Sequence, residues 1–238
     1  MNANRFGDAQ VLWQLLRGQP RAGDHRERLE RFYAPQAGHY DAFRERLIAG
    51  RAELLDRLCL DSGQYVVELG GGTARNLDYL DDDLRAALAR IDIVDLCPSL
   101  LERARARCRN WDNVHVVEAD AANYAPPAAV DRVYFAYALT MMPEWRATLR
   151  NAFRMLKPGG LVGVVDFGLP RAPGAGWPGR ARSAFWRRWF GHDGVRPDPA
   201  HGAYLDGLFE RVERIEGASR VPYLPGLRAP WYLYVGRK

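Results

Sequence analysis

Apolar residues along this chain follow two alternating patterns. Short apolar runs that end at glycine or at a polar residue predict strands over residues 64–69, 91–96, 113–118, 130–137 and 161–167. Helical spacing is found between them, from Arg75 onward and over residues 99–109 and 143–156, and later at 204–209. Two further strands are predicted at 211–220 and 231–236. Strands that alternate with helices predict an α/β fold in which helices cover both faces of a parallel sheet.

Two segments depart from this alternation. Residues 8–16, then a segment from Asp24 to about Tyr33, and then residues 39–60 have helical patterns ahead of the first strand. We therefore expect residues 1–60 to form a helical flap over an acceptor site, and residues 61–238 to form the main domain. Within that domain, residues 168–200 are an insertion: 169–178 is a loop rich in Pro and Gly, and 180–190 (RARSAFWRRWF) is a basic, aromatic helix.

The glycine-rich segment VVELGGGTARN, residues 66–76, closes the first predicted strand. Glycines allow a tight turn and a close approach of the backbone to a ligand, although a structural turn or a dinucleotide site would also fit. The G-x-G-x-x-G spacing of a dinucleotide site would need glycine where Arg75 stands. Asp95 ends the second strand, where a carboxylate can accept both hydroxyls of a ribose. Asp120 follows the third strand and is placed to meet an adenine amino group.

These residues together resemble the class I S-adenosylmethionine-dependent methyltransferases, and the turn Leu-Lys-Pro-Gly-Gly before the fifth strand has the same resemblance. The resemblance implies a Rossmann-like, mostly parallel seven-stranded sheet and S-adenosylmethionine as cofactor, with S-adenosylhomocysteine as product. It also implies that the cofactor is bound by Glu68, Gly70, Gly71, Gly72, Thr73, Asn76, Asp95, Leu96, Asp120, Ala121 and Tyr137. Many members have a third glycine where this chain has Ala74, and we expect this to shift the next helix slightly.

Less common segments point to a narrower family. They are FYAPQAGHYD (32–41), Gly50-Arg51, ELGGGT (68–73), VDLCPSL (94–100), NVHVVEAD (113–120), VDF (165–167), FWRRWF (185–190) and VPYLP (221–225). From about residue 25 to the end, the chain resembles the BtaB-type N-methyltransferases of betaine-lipid synthesis. That resemblance implies three successive methylations of diacylglyceryl-homoserine to diacylglyceryl-trimethylhomoserine. It also implies an upstream aminocarboxypropyl transferase as a partner.

The acceptor side of the site is less well defined by sequence. His39, Tyr40 and Tyr137 are the candidates near the transferred methyl group, and none of them is assigned as a general base. Tyr33 and Tyr223 can offer aromatic faces to a quaternary ammonium product, although single aromatic residues are often core residues. For the homoserine carboxylate, the candidates are Arg51, Arg187 and Arg228.

Charge and cysteine content bear on partners and compartment. The net charge of +5 and the pI of about 9.3 fit a genomic preference for arginine, a nucleic-acid partner or an anionic membrane. The three cysteines have no CxxC spacing, and no signal segment or span-length apolar run is found. We therefore expect a cytoplasmic protein without a metal site.

A lipid substrate requires contact with a bilayer, and residues 180–190 are the candidate for it. On a helix, Phe185, Trp186, Trp189 and Phe190 form one aromatic stripe, flanked by arginines. Such a helix can lie among anionic headgroups at the inner membrane surface. The alternative is a helix that packs its aromatic residues on the sheet.

Three other functions remain open. The first is methylation of a different lipid or small molecule, such as phosphatidylethanolamine or a quinone precursor. The second is RNA methylation, but the sequence Tyr137-Ala-Leu-Thr140 lacks the Asn/Asp-Pro-Pro-Tyr/Phe motif that holds a flipped base, so no nucleic-acid partner is expected. The third is a protein that binds S-adenosylmethionine without chemistry.

Overall fold

The computed structural model describes residues 23–34, 48–169, 177–192, 194–221 and 226–238. Within 177–192, the structure describes only the backbone of residues 177–180, 182 and 192. The predicted helix at 8–16 and the first part of the one at 39–60 lie outside the described residues.

The described residues form one seven-stranded sheet. In chain order its strands are β1 Tyr65–Leu69, β2 Arg90–Asp95, β3 Val114–Glu118, β4 Val130–Ala136, β5 Leu156–Phe167, β6 Glu210–Arg220 and β7 Arg228–Arg237. The spatial order is β3-β2-β1-β4-β5-β7-β6. Strands β1 to β5 pair in parallel, whereas β7 is antiparallel to both β5 and β6. The predicted mostly parallel, seven-stranded sheet is confirmed.

Helices cover both faces of this sheet. They are α1 His25–Tyr33, α2 Arg51–Arg57, α3 Asp82–Ala87, α4 Pro98–Cys108, α5 Trp145–Met155, α6 Trp177–His192 and α7 Ala200–Leu208. Two of them begin at an aspartate that accepts a backbone N–H, Asp24 for α1 and Asp81 for α3. Helix α4 has Pro98 at its first turn, where the missing N–H costs nothing.

The structure differs from the predicted elements at several places. In the described part of the helix predicted over 39–60, only Arg51–Arg57 is helical, and the helix predicted over 180–190 extends from Trp177 to His192. The segment after the glycine turn is a 3₁₀ helix, Arg75–Tyr79, followed by the short helix α3, rather than one helix. The predicted turn at residues 157–160 lies within β5 as an irregularity. Leu156 pairs with Val130 and Leu161 with Arg132, so these four residues bulge out opposite one residue of β4.

The core has two layers, one on each face of the sheet. Along β1, Val66 packs into one layer whereas Val67 and Leu69 pack into the other, as the alternation of side chains in a strand requires. All five residues of β1 are buried because both faces of this central strand are covered. Glu68 is therefore a buried carboxyl group in an apolar strand.

The chain changes direction at β1. Strands β2 and β3 lie on one side of it and β4 and β5 on the other, so the loops that leave β1 and β4 diverge. Ligands of open α/β sheets bind in the crevice that forms at such a point, outside the carboxyl ends of the strands.

Candidate active site

A cavity of about 290 Å³ opens at the carboxyl ends of β1, β2 and β4. We call it the first cavity. Most of the residues predicted to bind cofactor or acceptor line it, namely Gly70, Gly71, Gly72, Thr73, Asn76, Asp95, Leu96, Asp120, Ala121, Tyr137, Tyr33 and Arg51. The fold therefore brings together residues that are far apart in the sequence.

The glycine turn forms the floor of this cavity. The Gly70 and Gly71 amides both donate to the Val94 carbonyl, at 2.8 and 3.1 Å, which ties the turn to β2. Gly70 has a φ of +76°, and a Cβ there would clash with the Cβ of Ala138. Gly72 also has a positive φ, +55°, yet a Cβ there would meet only Leu100 at 3.7 Å. The backbone at Gly72 therefore remains open toward a ligand.

Asp95 is held by the backbone on both sides. Its Oδ2 accepts the Gly72 amide at 2.9 Å, and its Oδ1 accepts the Cys97 amide at 2.9 Å. These two bonds fix the carboxylate at the end of β2, facing the cavity. A carboxylate has about four acceptor positions, so capacity remains for ligand hydroxyls.

Asp120 closes a turn after β3. Its Oδ1 accepts the Ala122 amide at 2.9 Å, and its Oδ2 accepts the Asn123 side-chain amide at 3.1 Å. His25 of α1 lines the cavity near this carboxylate. Burial and the neighbouring Arg28 lower the pKa of His25, against the opposing effect of Asp120. No sequence pattern indicated His25, because it lies on a separate helix.

Glu68 does not line the cavity but lies beneath its floor, fully buried. Its Oε1 accepts the Asn76 side-chain amide at 2.5 Å, and its Oε2 accepts the Tyr134 hydroxyl at 2.8 Å. Arg51 in turn donates to Asn76 Oδ1 at 3.2 Å. Burial raises the pKa of Glu68 to about 7, although the hydrogen bonds from Asn76 and Tyr134 oppose this. Glu68 therefore positions Asn76, which does line the cavity.

Tyr137, directly after β4, has an unusual backbone conformation. Its φ is +57°, in the left-handed region that costs a non-glycine residue about 1–2 kcal/mol. Its amide donates to the Val165 carbonyl at 2.7 Å, and its hydroxyl donates to the Ala49 carbonyl at 2.8 Å. The ring makes an edge contact with Phe167 at 4.7 Å. These contacts hold the ring of Tyr137 against the cavity.

Helix α1 is attached to the cofactor side of the cavity by a carboxylate. Glu30 accepts the Ser99 amide at 3.1 Å, at the beginning of α4, where the helix dipole favours a negative charge. Arg26 forms an ion pair with Glu118 of β3. Leu29 and Tyr33 therefore line the cavity, as expected for part of a flap. The domain boundary at residue 60 stays a prediction.

The remaining acceptor candidates have different locations. His39, Tyr40 and Tyr223 lie outside the described residues. Arg187 and Arg228 line a different cavity, which Arg51 does not border.

Helix α6 divides its aromatic stripe between core and solvent. Trp186 and Phe190 are buried, at 3% and 5% exposed, whereas Phe185 and Trp189 are 44% and 40% exposed. The two buried residues can therefore pack on the sheet, whereas the two exposed residues are available for contact with a membrane. None of the helices in the described ranges is long and apolar enough to cross a membrane.

Several residues that line the first cavity were not predicted. They are His25, Leu29, Ile48, Arg75, Val94, Leu100, Ala119, Ala136, Ala138, Met141, Met142, Pro143, Glu144 and Thr148. Most are apolar or small, and residues of that kind give no chemical signal in a sequence. The group from 136 to 148 follows β4, so its position at the strand's carboxyl end was the available indication.

Known proteins resemble this chain in sequence and in fold. Residues 66–160 match the family model described as a methyltransferase domain, and the match covers β1 to the start of β5 with the glycine turn, Asp95 and Asp120. Residues 66–160 thus contain a methyltransferase domain. In fold, the chain resembles the N-methyltransferase NodS from Bradyrhizobium japonicum in complex with S-adenosylhomocysteine, with a TM-score of 0.64, 22% identity, and coverage of 91% of this chain and 99% of that chain.

Curated relatives match part of this chain. It is 29% identical over 166 residues to the ubiquinone/menaquinone biosynthesis C-methyltransferase UbiE of Edwardsiella ictaluri, covering 63% of each chain. With UbiE of Salmonella arizonae the identity is 30% over 143 residues, covering 56% of this chain and 57% of the relative. The matched part thus spans about three-fifths of these relatives. A phosphoethanolamine N-methyltransferase of Haemonchus contortus has the same fold, with a TM-score of 0.68, 13% identity, and coverage of 92% of this chain and 60% of that chain.

Proposed function

We propose that this protein is an N-methyltransferase that converts diacylglyceryl-homoserine to diacylglyceryl-trimethylhomoserine in three successive methylations. The observation that carries the methyl-transfer part is the first cavity, where the glycine turn, Asp95 and Asp120 meet at the carboxyl ends of the strands. The lipid acceptor rests on the segments that resemble the BtaB-type enzymes.

The residues of the first cavity offer polar partners for each part of S-adenosylmethionine. Asp95 would accept the ribose hydroxyls, since Gly72 and Cys97 already fix its orientation. Asp120 and Ala121 would flank the adenine. The turn from Gly70 to Thr73, together with Asn76, would surround the methionine part, with Glu68 holding Asn76 from below.

When bound, the cofactor supplies a methyl group on a sulfonium, which the amine nitrogen takes in an in-line displacement while S-adenosylhomocysteine leaves and the amine loses one proton. The protein's own contribution is to position the amine and to exclude water. Tyr33 and Tyr137 are both buried and line the cavity, so their rings can face an ammonium group that gains methyls. The Tyr137 hydroxyl already donates to the Ala49 carbonyl, so we infer that Tyr137 positions the acceptor rather than acting as a base.

Arg51 is the proposed partner of the homoserine carboxylate on this side. It is 6% exposed, lines the first cavity and carries a guanidinium next to Asn76. A guanidinium matches a carboxylate geometrically and stays charged at any physiological pH.

A second candidate function is favoured by the comparisons. The curated relatives are named as C-methyltransferases of ubiquinone and menaquinone biosynthesis. An apolar quinone precursor would also suit a cavity lined by Met141, Met142 and Leu29. This alternative shares the cofactor site and differs only in the acceptor.

One competition assay separates these acceptors. The protein is incubated with methyl-deuterated S-adenosylmethionine and vesicles containing equal amounts of diacylglyceryl-homoserine, phosphatidylethanolamine and a menaquinone precursor. We expect labelled homoserine lipid that carries one, two and finally three deuterated methyl groups by mass spectrometry. Label on the quinone precursor alone would replace the lipid proposal with the second candidate. The variant Asp95→Asn should abolish all labelling, whereas Asp131→Asn, at the opposite end of the sheet, should retain it.

For the membrane, we propose that the exposed face of α6 contacts an anionic surface. Phe185 and Trp189 provide its apolar contacts, and the exposed Arg187 and Arg188 provide its charge. Each arginine near such a surface contributes about 1 kcal/mol. The expected location is the cytoplasmic face of the membrane, where an upstream aminocarboxypropyl transferase would supply the substrate.

Vesicle co-sedimentation tests this contact. The double variant Phe185→Ser/Trp189→Ser should bind phosphatidylglycerol vesicles at least tenfold more weakly than the unmodified protein. Val212→Ser removes an equally exposed apolar residue on β6 (51% exposed) and should leave binding unchanged. Equal binding by all three proteins would rule out α6 as the contact.

A further inference from the structure

A second cavity, of about 840 Å³, lies between α6, α7 and the β6–β7 pair. Phe167 lines this second cavity, and its ring contacts Tyr137 of the first cavity at 4.7 Å. The two cavities share no lining residue among those the structure describes. The second cavity is therefore a separate compartment next to the methyl-transfer site.

A buried histidine lines this compartment. His201 of α7 is 2% exposed, and its Nδ1 lies 3.5 Å from the Tyr232 hydroxyl. Burial lowers the pKa of His201 to about 4, so the imidazole is neutral at pH 7. The Tyr232 hydroxyl can donate to Nδ1 in the tautomer that carries its proton on Nε2, and the site proposed below uses that tautomer. In the described part of the chain, that Nε2 has no hydrogen-bond partner.

Arg214 of β6 contributes a second buried donor. Its Nη2 donates to Glu216 at 3.1 Å, but its Nε is buried and has no acceptor among the described residues. A Cβ on Gly202 would clash with this guanidinium, so the arginine lies directly against the backbone of α7. His201 precedes Gly202 on α7, and both His201 and Arg214 line the second cavity.

The acidic residues around this cavity already have partners. Asp198 accepts the Ala200 amide at 2.8 Å, Asp206 pairs with Arg211 at 3.5 Å, and Glu216 pairs with Arg214. Two more arginines, Arg187 and Arg228, lie exposed at the rim. Inside the cavity, His201 Nε2 and Arg214 Nε can therefore each donate a further hydrogen bond, and the arginine carries a positive charge. A buried donor without an acceptor is unfavourable, so a ligand with acceptor oxygens fits.

We propose that the second cavity is a binding site for an oxyanion, a phosphate or carboxylate group, held by His201 Nε2 and Arg214 Nε, with Arg187 and Arg228 at its entrance. This site goes beyond the methyl-transfer function and does not depend on it. The oxyanion can belong to a free metabolite or to a lipid headgroup, because Arg187 lies between the exposed Phe185 and Trp189 on α6.

The direct test follows the imidazole of His201 by NMR in the full-length protein labelled at histidine. The variant His201→Gln assigns its signals. Inorganic phosphate is added at pH 7 and constant ionic strength, with chloride exchanged for phosphate. We expect a saturable shift of the His201 ring signals. Phosphatidylglycerol vesicles, compared with phosphatidylcholine vesicles, form the second arm. A shift with phosphate supports a free oxyanion, and a shift with phosphatidylglycerol alone supports a headgroup. No shift in either arm would overturn the proposal.

Variants separate this site from general electrostatics. Arg214→Gln should weaken the response at least tenfold, whereas Arg237→Gln, an exposed arginine at the far end of β7, should leave it unchanged. If Arg214→Gln does not fold, the exposed Arg187→Gln replaces it, with an expected weakening of about threefold. Equal weakening by Arg237→Gln would mean that the response reports overall charge, and the site would be rejected. Binding of S-adenosylmethionine, measured in parallel, should be the same in all of these proteins.

Discussion

The two cavities on either side of the Tyr137–Phe167 contact satisfy their polar groups in opposite ways. In the first cavity, the acceptor oxygens of Asp95 and Asp120 are engaged by N–H groups of the same chain before any ligand is present. In the second cavity, donors of His201 and Arg214 lack acceptors among the described residues. The first site is held in place by its own backbone, whereas the second would be completed by its ligand.

This difference has a structural origin. The first cavity lies at strand ends, where a turn leaves backbone N–H groups that a nearby carboxylate can accept. The second cavity is built from side chains on α6, α7, β6 and β7. Side chains on separate elements meet only after the tertiary structure forms. We therefore expect substitutions around the first cavity to change binding, and those around the second to change packing as well.

The largest expected effect concerns the wall between the cavities. Trp186 stacks on Phe190 at 5.0 Å, and Phe190 contacts Phe167 at 4.6 Å, so these rings attach α6 to the sheet. Trp186→Ala should lower the free energy of unfolding by about 3–5 kcal/mol, because it empties a buried site. Urea unfolding followed by circular dichroism measures this. Trp189→Ala, on the same helix but exposed, should change it by less than about 0.5 kcal/mol. Similar losses in both would mean that α6 is not anchored by its inner face.

The next prediction concerns the fixed carboxylate. Asp95→Asn keeps one acceptor oxygen but loses the charge that strengthens hydrogen bonds to ligand hydroxyls, and bonds to charged groups contribute about 1.5–3 kcal/mol each. We expect S-adenosylmethionine to bind about 100-fold more weakly in isothermal titration calorimetry. Asp131→Asn, whose aspartate accepts the Tyr65 amide and pairs with Lys157, should keep the original affinity. An unchanged affinity in the Asp95 variant would show that the ribose lies elsewhere.

The next prediction concerns Glu68, whose hydrogen bond holds Asn76 in place from beneath the floor of the first cavity. Its pKa in the folded protein is about 7, against an ordinary value of 4.5 for a glutamate, so the folded state holds the proton more tightly. This group therefore contributes stability below pH 4.5, and the contribution is lost as the pH rises toward 7. Between pH 5 and pH 8 the loss amounts to about 2.5 kcal/mol at 1.36 kcal/mol per pKa unit.

The variant Glu68→Gln cannot titrate and should remove this part of the pH dependence. Urea unfolding at pH 5, 6, 7 and 8 is the measurement. We expect the two proteins to differ most above pH 7, where the Gln variant should be the more stable. Parallel curves for both proteins over this range would mean that Glu68 titrates as an ordinary carboxyl group, and that its burial does not set its charge.

The first cavity was largely predictable from the sequence because its chemistry is local. A glycine turn and an acidic residue that directly ends a strand can be seen in adjacent letters, as at Gly70 and Asp95. The position of Glu68 beneath the floor of the first cavity could not be predicted from the sequence. It depends on hydrogen bonds with Asn76 and Tyr134, which lie on two other elements.

The second cavity was not predictable at all. His201 and Arg214 are thirteen residues apart in the sequence, on a helix and a strand, and neither belongs to a motif. The charge of Arg187 makes it a carboxylate candidate in the sequence, yet the tertiary structure places it by the second cavity rather than beside Arg51. Sequence patterns specify which residues face the core, but they do not specify which loops and helices meet above the sheet.

The smallest expected effect concerns Ala74, which stands where many class I methyltransferases have glycine. Its φ is +58° and it is fully buried. Ala74→Gly would relieve about 1–2 kcal/mol of left-handed backbone strain. It would also remove a buried methyl, at about 0.8 kcal/mol, and add about 0.4–1 kcal/mol of unfolded-state entropy. These contributions nearly cancel, so the free energy of unfolding should change by less than about 0.5 kcal/mol. A gain above 1 kcal/mol in urea unfolding would mean that the backbone strain at Ala74 outweighs the two opposing contributions, in contrast to the well-satisfied backbone on which the first cavity depends.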